Sequence, residues 1–312
     1  MIARTGPAGA YRGNIDYFRI GARTVIERLR AHLLALIGAR HPLSSPATLR
    51  QAERYLAEQF RQLGLEVSFH PFDALRSTYR NVVASFPASS RTETDEDAPP
   101  LIIAAHYDTV PGSPGADDNA SGLAVMLEVA RSLRGVSLRR SLCFIGFCLE
   151  EQDQLGSLAY ASSLKATGRE IRGAIVLECV GYARSEEGSQ FAPAGVPIAV
   201  PSTGDFLAII ANTASAELAG AVERAANRHV PDLKTLSLLV PGKGERLPDT
   251  RRSDHAPFWD HGYPAIMLTD TANFRNPHYH QLTDTLATLD LTFMQRVAQA
   301  VAAATIDLAG GD

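Results

Sequence analysis

Residues able to bind cations or move protons stand at the ends of apolar segments: His106 with Asp108, the pair Asp117 and Asp118, the pair Glu150 and Glu151, then Glu178, His278 and His280. Carboxylates gathered in a partly buried cleft repel and desolvate one another unless a cation lies among them. No lysine flanks these motifs and the nearby arginines are scattered, so a divalent cation, more readily two, is the simplest neutraliser. Imidazoles plus carboxylates, with no thiolate motif, suit zinc, with manganese or cobalt as substitutes. An all-oxygen set would have pointed to calcium or magnesium. A carboxylate can also bridge two metals about 3.5–4 Å apart, which clamps a nucleophilic water and a substrate carbonyl together.

These residues need rigid elements to hold them. His106 opens a Gly/Pro-rich loop, residues 106–122, which follows the short apolar run 101–105 and leads into helical spacing over 119–133. Such a loop at the carboxyl end of a buried strand is where open α/β sheets place their ligand sites. Glu150 and Glu151 follow an apolar strand at 141–149, and Glu178 ends another at 173–177. Further strands are predicted at 65–72, 79–86, 235–240 and 265–268. Helices are predicted at 21–37, 46–60, 155–166, 205–214, 216–229 and 290–309, with a short helix or turn at 253–259. Ser45 is the expected cap of the second helix. Residues 88–100 form a polar, acidic loop, and 182–201 and 241–250 are loops over the site. Strands alternating with helices argue α/β with a mostly parallel sheet.

The 312 residues are 45% apolar and 21% charged, with mean hydropathy −0.06, so the chain reads as one globular domain able to bury a full core. Its net charge is −4 without a basic run, which argues against nucleic acid and anionic membranes as partners. No stretch approaches the ~18 apolar residues of a membrane span, and residues 1–14 lack the apolar core of a signal peptide. A cytoplasmic location is expected. Cys143, Cys148 and Cys179 sit in apolar strands and read as buried thiols; Cys143 and Cys148 should face opposite sides of one strand.

The ordered set H-Y-D, G-A-D-D-N-A-S-G, F-C-L-E-E-Q-D-Q-L-G-S, L-E-C-V-G-Y, S-D-H-A-P-F and Y-H-Q-L-T-D-T resembles the co-catalytic di-zinc aminopeptidases, metallopeptidase family 28. The likeness runs from about the second helix to the end of the chain. It implies a single domain over 1–312, with 1–20 as an N-terminal extension. The implied fold is a three-layer α/β sandwich of the zinc-dependent exopeptidase, phosphorylase/hydrolase-like kind, with a mostly parallel mixed sheet and helices on both faces.

Carried over by residue, the resemblance implies two zinc ions: His106 and Glu178 on one, Glu151 and His280 on the other, and Asp118 as the bridge. Asp118 is chosen over Asp117 because the family's bridging residue stands three positions before Ser in this loop. Glu150 is then the general base, Asp108 the aspartate that orients the His106 ring, and Asp284 its counterpart at His280. Tyr279 is either a donor to the developing oxyanion or a packed aromatic. Glu178 departs from the aspartate of many relatives, and Asp153 stands where glycine is usual, a place where aspartate tolerates a left-handed backbone.

The implied substrate is a peptide with a free N-terminus, its side-chain preference set by the loops 182–201 and 241–250. Glutaminyl-peptide cyclotransferase and zinc carboxypeptidase are the alternatives on a similar fold. A non-catalytic peptide-binding homologue is disfavoured because every ligand and the base are present. His255 reads as structural, His278 as a loop residue, and His32, His41, His70, His229 and His261 as surface or capping residues. No residue pattern sets an oligomeric state.

Overall fold

The computed structural model describes residues 22–88 and 98–311. The N-terminal extension and most of the acidic loop therefore lie outside the described residues. Eight strands form one mixed sheet: β1 (Glu66–Ala74), β2 (Ser77–Phe86), β3 (Leu101–His106), β4 (Leu142–Phe147), β5 (Gly173–Glu178), β6 (Phe206–Asn212), β7 (Lys234–Val240) and β8 (Ala265–Thr269). Their spatial order is β1-β2-β4-β3-β5-β8-β6-β7. The central neighbours β4, β3, β5 and β8 run parallel, while β1, β2 and β6 introduce the antiparallel pairings.

Alternation along these strands divides the core into two layers. In β3, Leu101, Ile103 and Ala105 pack into one cluster with α1 (Ala22–Leu36), α2 (Pro46–Gln62), α3 (Gly122–Ser132), α5 (Ala216–His229) and α7 (Leu291–Ala309). Ile102 and Ala104 point the other way, into a cluster with α4 (Leu155–Ala166) and α6 (His255–Asp260). Both faces of the central strands are thus covered, which is why they read as continuous apolar runs. Cys143 and Cys148 fall into opposite layers and, like Cys179, are free thiols.

The predicted helix at 205–214 is instead β6. Phe206–Asn212 is buried along its whole length, carries β-branched Ile209 and Ile210, and pairs with both β7 and β8. Seven buried residues suit a strand, and nothing in the local pattern separates that from a buried helical segment. Ser45 stands at the start of α2 without a side-chain cap bond, and Pro46 is the first helical residue. α7 is capped as its sequence demands: the Asp290 carboxylate accepts from the Thr292 and Phe293 amides, and Gly310 ends it at φ +65°.

His32 and His41 are buried rather than superficial, though His41 Nδ1 accepts from the Leu43 and Ser44 amides, the capping part expected of it. His32 Nδ1 lies 2.8 Å from the Tyr55 hydroxyl, and burial, reinforced by the charges of Arg131 and Arg28, lowers its pKa to about 4. The unfolded chain protonates this ring near pH 6.5 while the folded one refuses the proton. The stability His32 contributes is therefore present above about pH 6.5 and lost as pH falls toward 4, about 3 kcal/mol in all. In denaturant unfolding at pH 7 and pH 4.5, His32→Leu is expected to flatten the pH dependence by this share. A slope identical to that of the unsubstituted protein would refute the assignment.

Candidate active site

The carboxyl ends of β3, β4, β5 and β8 deliver the site. His106 is the last residue of β3 and Glu178 the last of β5, while Glu150 and Glu151 follow β4 and His280 comes from the loop after β8. The backbone at these places is forced: Leu149 (φ +64°), Cys179 (φ +48°) and His280 (φ +60°) are all left-handed, conformations that cost non-glycine residues of order 1–3 kcal/mol each and cluster at functional sites. Asp153, in the turn after the glutamate pair, is also left-handed at φ +58°.

Asp118 occupies the centre. Its Oδ1 is 3.1 Å from His106 Nε2, and its Oδ2 is 3.0 Å from His280 Nε2. Each imidazole has a carboxylate of its own besides: Glu178 Oε2 is 3.4 Å from His106 Nε2, and Glu151 Oε2 is 3.2 Å from His280 Nε2. Glu150 Oε2 stands 4.0 Å from His106 Nε2. Asp117 turns away, its carboxylate accepting from the Gly181 amide (2.9 Å) and Asn276 Nδ2 (2.7 Å).

These donor atoms fit a metal better than they fit one another. His106 Nε2, Asp118 Oδ1 and His280 Nε2 are buried within 3.1 Å of a potential partner, yet none of the contacts has hydrogen-bond geometry. The electrostatics point the same way. Burial pushes the Glu150 carboxyl well above its usual range, and the charges of Glu178, Glu151 and Asp254 add to this against the opposing pull of His106. Burial and the Asp118 charge raise Glu151 to about 7. Burial opposes ionisation of Asp118, but the two imidazoles hold it well below the usual carboxylate range. Carboxylates this crowded and buried are the arrangement that a bound cation would relieve.

A layer of partners fixes the donors. Asp108 Oδ1 and Oδ2 accept from the amides of Glu150 (3.0 Å) and Glu151 (3.1 Å). The Asp108 carboxylate thus holds the glutamate turn, while His106 Nδ1 stands 3.6 Å from Oδ1, beyond hydrogen-bond range. Asp284 does not bond the His280 ring; its carboxylate accepts from the amides of Asp117 (2.8 Å) and Asp118 (3.2 Å). Ser253 Oγ donates to Glu178 Oε2 at 2.7 Å. Asn119 donates to Leu177 O and accepts from the Gly122 and Cys179 amides, which joins the loop to β5.

Tyr279 stacks on the His280 ring at 3.8 Å, and Arg252 Nη2 donates to its oxygen at 3.3 Å. Beside Glu178 and Tyr279 lies a pocket walled by Val196, Ile210, Leu238, Leu247, Met267 and Phe274. It draws on both loops expected to set specificity. His255 is buried against Trp259 and bonded to Thr250 O, and His278 lies outside the donor cluster with Thr283 as its partner. Sequence reasoning missed Arg40, Ser253, Asn119 and Arg252: Arg40 and Asn119 bond backbone atoms, and Ser253 bonds the Glu178 oxygen that faces His106, contacts that leave no pattern in residue spacing.

The profile of Peptidase family M28 matches residues 81–305. The chain belongs to peptidase family M28. Among family relatives, the uncharacterized protein YfbL of Escherichia coli (strain K12) is 33% identical over 291 residues, covering 88% of this chain and 86% of YfbL. Solved structures share the fold of this M28 chain at lower identity. BSAP, a zinc aminopeptidase from Bacillus subtilis, superposes with a TM-score of 0.69 at 18% identity, over 92% of this chain and 94% of BSAP. Porphyromonas gingivalis glutaminyl cyclase does so with a TM-score of 0.67 at 18% identity, over 92% and 98%.

Proposed function

We propose that this M28 peptidase is a di-zinc aminopeptidase that removes the first residue of a peptide with a free N-terminus. The observation that carries the reading is Asp118, whose two carboxylate oxygens each face a different imidazole, each with its own glutamate. His106 and Glu178 would hold one zinc and Glu151 and His280 the other, with Asp118 between them. Manganese or cobalt suit the same donors. Zinc held by these residues would supply Lewis acidity toward a water and the scissile carbonyl.

The remaining chemistry falls to the chain itself. Glu150 takes the proton of the attacking water and returns it to the departing amine, a role suited to a carboxyl whose proton affinity is raised by burial. Tyr279 donates its hydroxyl to the developing oxyanion; accepting from Arg252 leaves the phenolic proton free for that bond. The carboxylates around the pocket mouth attract a free ammonium group, and the apolar walls accept a side chain such as leucine or phenylalanine. A single-zinc cyclotransferase would have no need of two complete donor sets sharing one bridge.

Zinc content measured with release of chromophore from leucyl p-nitroanilide and its N-acetyl derivative tests the proposal. About two zincs per chain, with cleavage of the free-amine substrate only, is the expected result. Cyclisation of N-terminal glutamine with one zinc and no amide hydrolysis, or equal cleavage of the acetylated substrate, would overturn it.

A further inference from the structure

Arg40 lies outside the residues that match the family profile, yet it is bound to the loop that carries His106 and Asp118. Its side chain is fully buried, and no carboxylate among the described residues lies within ion-pair distance of it. Its guanidinium donates to backbone carbonyls instead. Nε reaches Tyr107 O at 2.8 Å, Nη1 reaches Leu36 O (2.5 Å), Gly38 O (2.9 Å) and Pro114 O (3.1 Å), and Nη2 reaches Gly115 O at 3.0 Å. The Arg40 amide adds a bond to Thr109 Oγ1 at 2.9 Å, and the Gly38 amide one to Pro114 O at 2.8 Å.

The placement of these carbonyls is what matters. Tyr107 directly follows His106, and Gly115 stands three residues before Asp118. One planar fork therefore joins the two ends of the segment that separates a terminal ligand from the bridge. The fit is tight: a methyl group at Gly115 (φ +62°) would come within 2.7 Å of Arg40 Nη2 and 2.5 Å of Asp118 O. A lysine ammonium has only three donors and no plane, so it cannot reproduce the set. The far side of the fork holds the end of α1, so the clamp fastens the loop to a packed helix.

We infer that Arg40 is a positioning residue that fixes the distance between His106 and Asp118 by clamping residues 107–115, and so preforms the site before metal binds. The inference rests on the di-zinc reading of those two side chains, but the loop geometry can be measured without metal. The test uses the full chain with Arg40→Met and Arg40→Lys, and Leu33→Ala in the core of α1 as a control for general destabilisation.

In the metal-free protein, amide exchange at Tyr107, Ala116, Asp117 and Asp118 is expected to speed up at least about tenfold in Arg40→Met, while β5 and β8 keep their protection. In chelator competition, zinc affinity is expected to fall about 10- to 100-fold. Arg40→Lys should fall between, and it supplies the test if Arg40→Met does not fold. Leu33→Ala should lower the melting temperature without selective loosening of the loop. Unchanged loop exchange in both Arg40 variants, or equal loosening in Leu33→Ala, overturns the inference. Selective loosening in a protein that binds no zinc upholds the clamp and removes the metal reading instead.

Discussion

Replacing Glu150 with glutamine is expected to lower kcat by ~10²- to 10⁴-fold, the usual share of a general base, while zinc content stays at that of the unsubstituted protein. The substitution keeps the shape of the side chain and leaves untouched the hydrogen bond that the Glu150 backbone amide donates to the Asp108 carboxylate, which holds the turn. What it removes is a carboxylate that is pushed by burial and by Glu178, Glu151 and Asp254 toward holding a proton. Glu150 also lies close enough to His106 and Glu178 to share a cation with them, so the two measurements must be made together. Lost turnover with retained zinc assigns proton transfer to Glu150; loss of zinc in parallel makes it a ligand; unchanged kcat removes it from the mechanism.

The strand-end donors could be read from the chain because each is local: a polar residue closing a buried run, repeated at β3, β4 and β5. Charge alone suggested a cation among them, since so many carboxylates gather without a lysine, while the role of each donor came from the resemblance to family 28. β6 escaped because Phe206–Asn212 is apolar on both faces, and only its neighbours β7 and β8 decide between strand and helix. The supporting contacts escaped for a different reason. Asp108 and Asp284 were expected to hold imidazole rings, but their carboxylates accept from backbone amides, and an amide is offered by nearly every residue. Arg40 is the extreme case: the acceptors of its guanidinium are all backbone carbonyls, so no partner residue type marks it. His32 shows the converse, since its burial depends on how α1 and α2 pack, with Tyr55 of α2 as its partner, rather than on its neighbours in sequence.

The sharpest consequence of the geometry concerns Asp118. Asp118→Asn is expected to lose zinc, to below one ion per chain after exhaustive desalting, and with it nearly all activity. The substitution removes a charge and turns one of the two oxygens that face His106 and His280 at 3.1 and 3.0 Å into an amide nitrogen, which carries hydrogens where a lone pair is needed. The main chain should stay in place, because the Asp284 carboxylate holds the Asp118 amide whatever the side chain is. A protein that no longer binds zinc also gains no stability from it, since a ligand stabilises by mass action only the state it binds. The melting temperature of Asp118→Asn should therefore be indifferent to added zinc, while that of the unsubstituted protein rises. Asp117→Asn provides the contrast. Both Asp117 oxygens are already occupied by Gly181 and Asn276, so this change should cost stability but leave the zinc-dependent rise intact. Two tightly held zincs in Asp118→Asn, together with their loss in Asp117→Asn, would move the bridge to Asp117 and require the loop to turn over between the metal-free and metal-bound states.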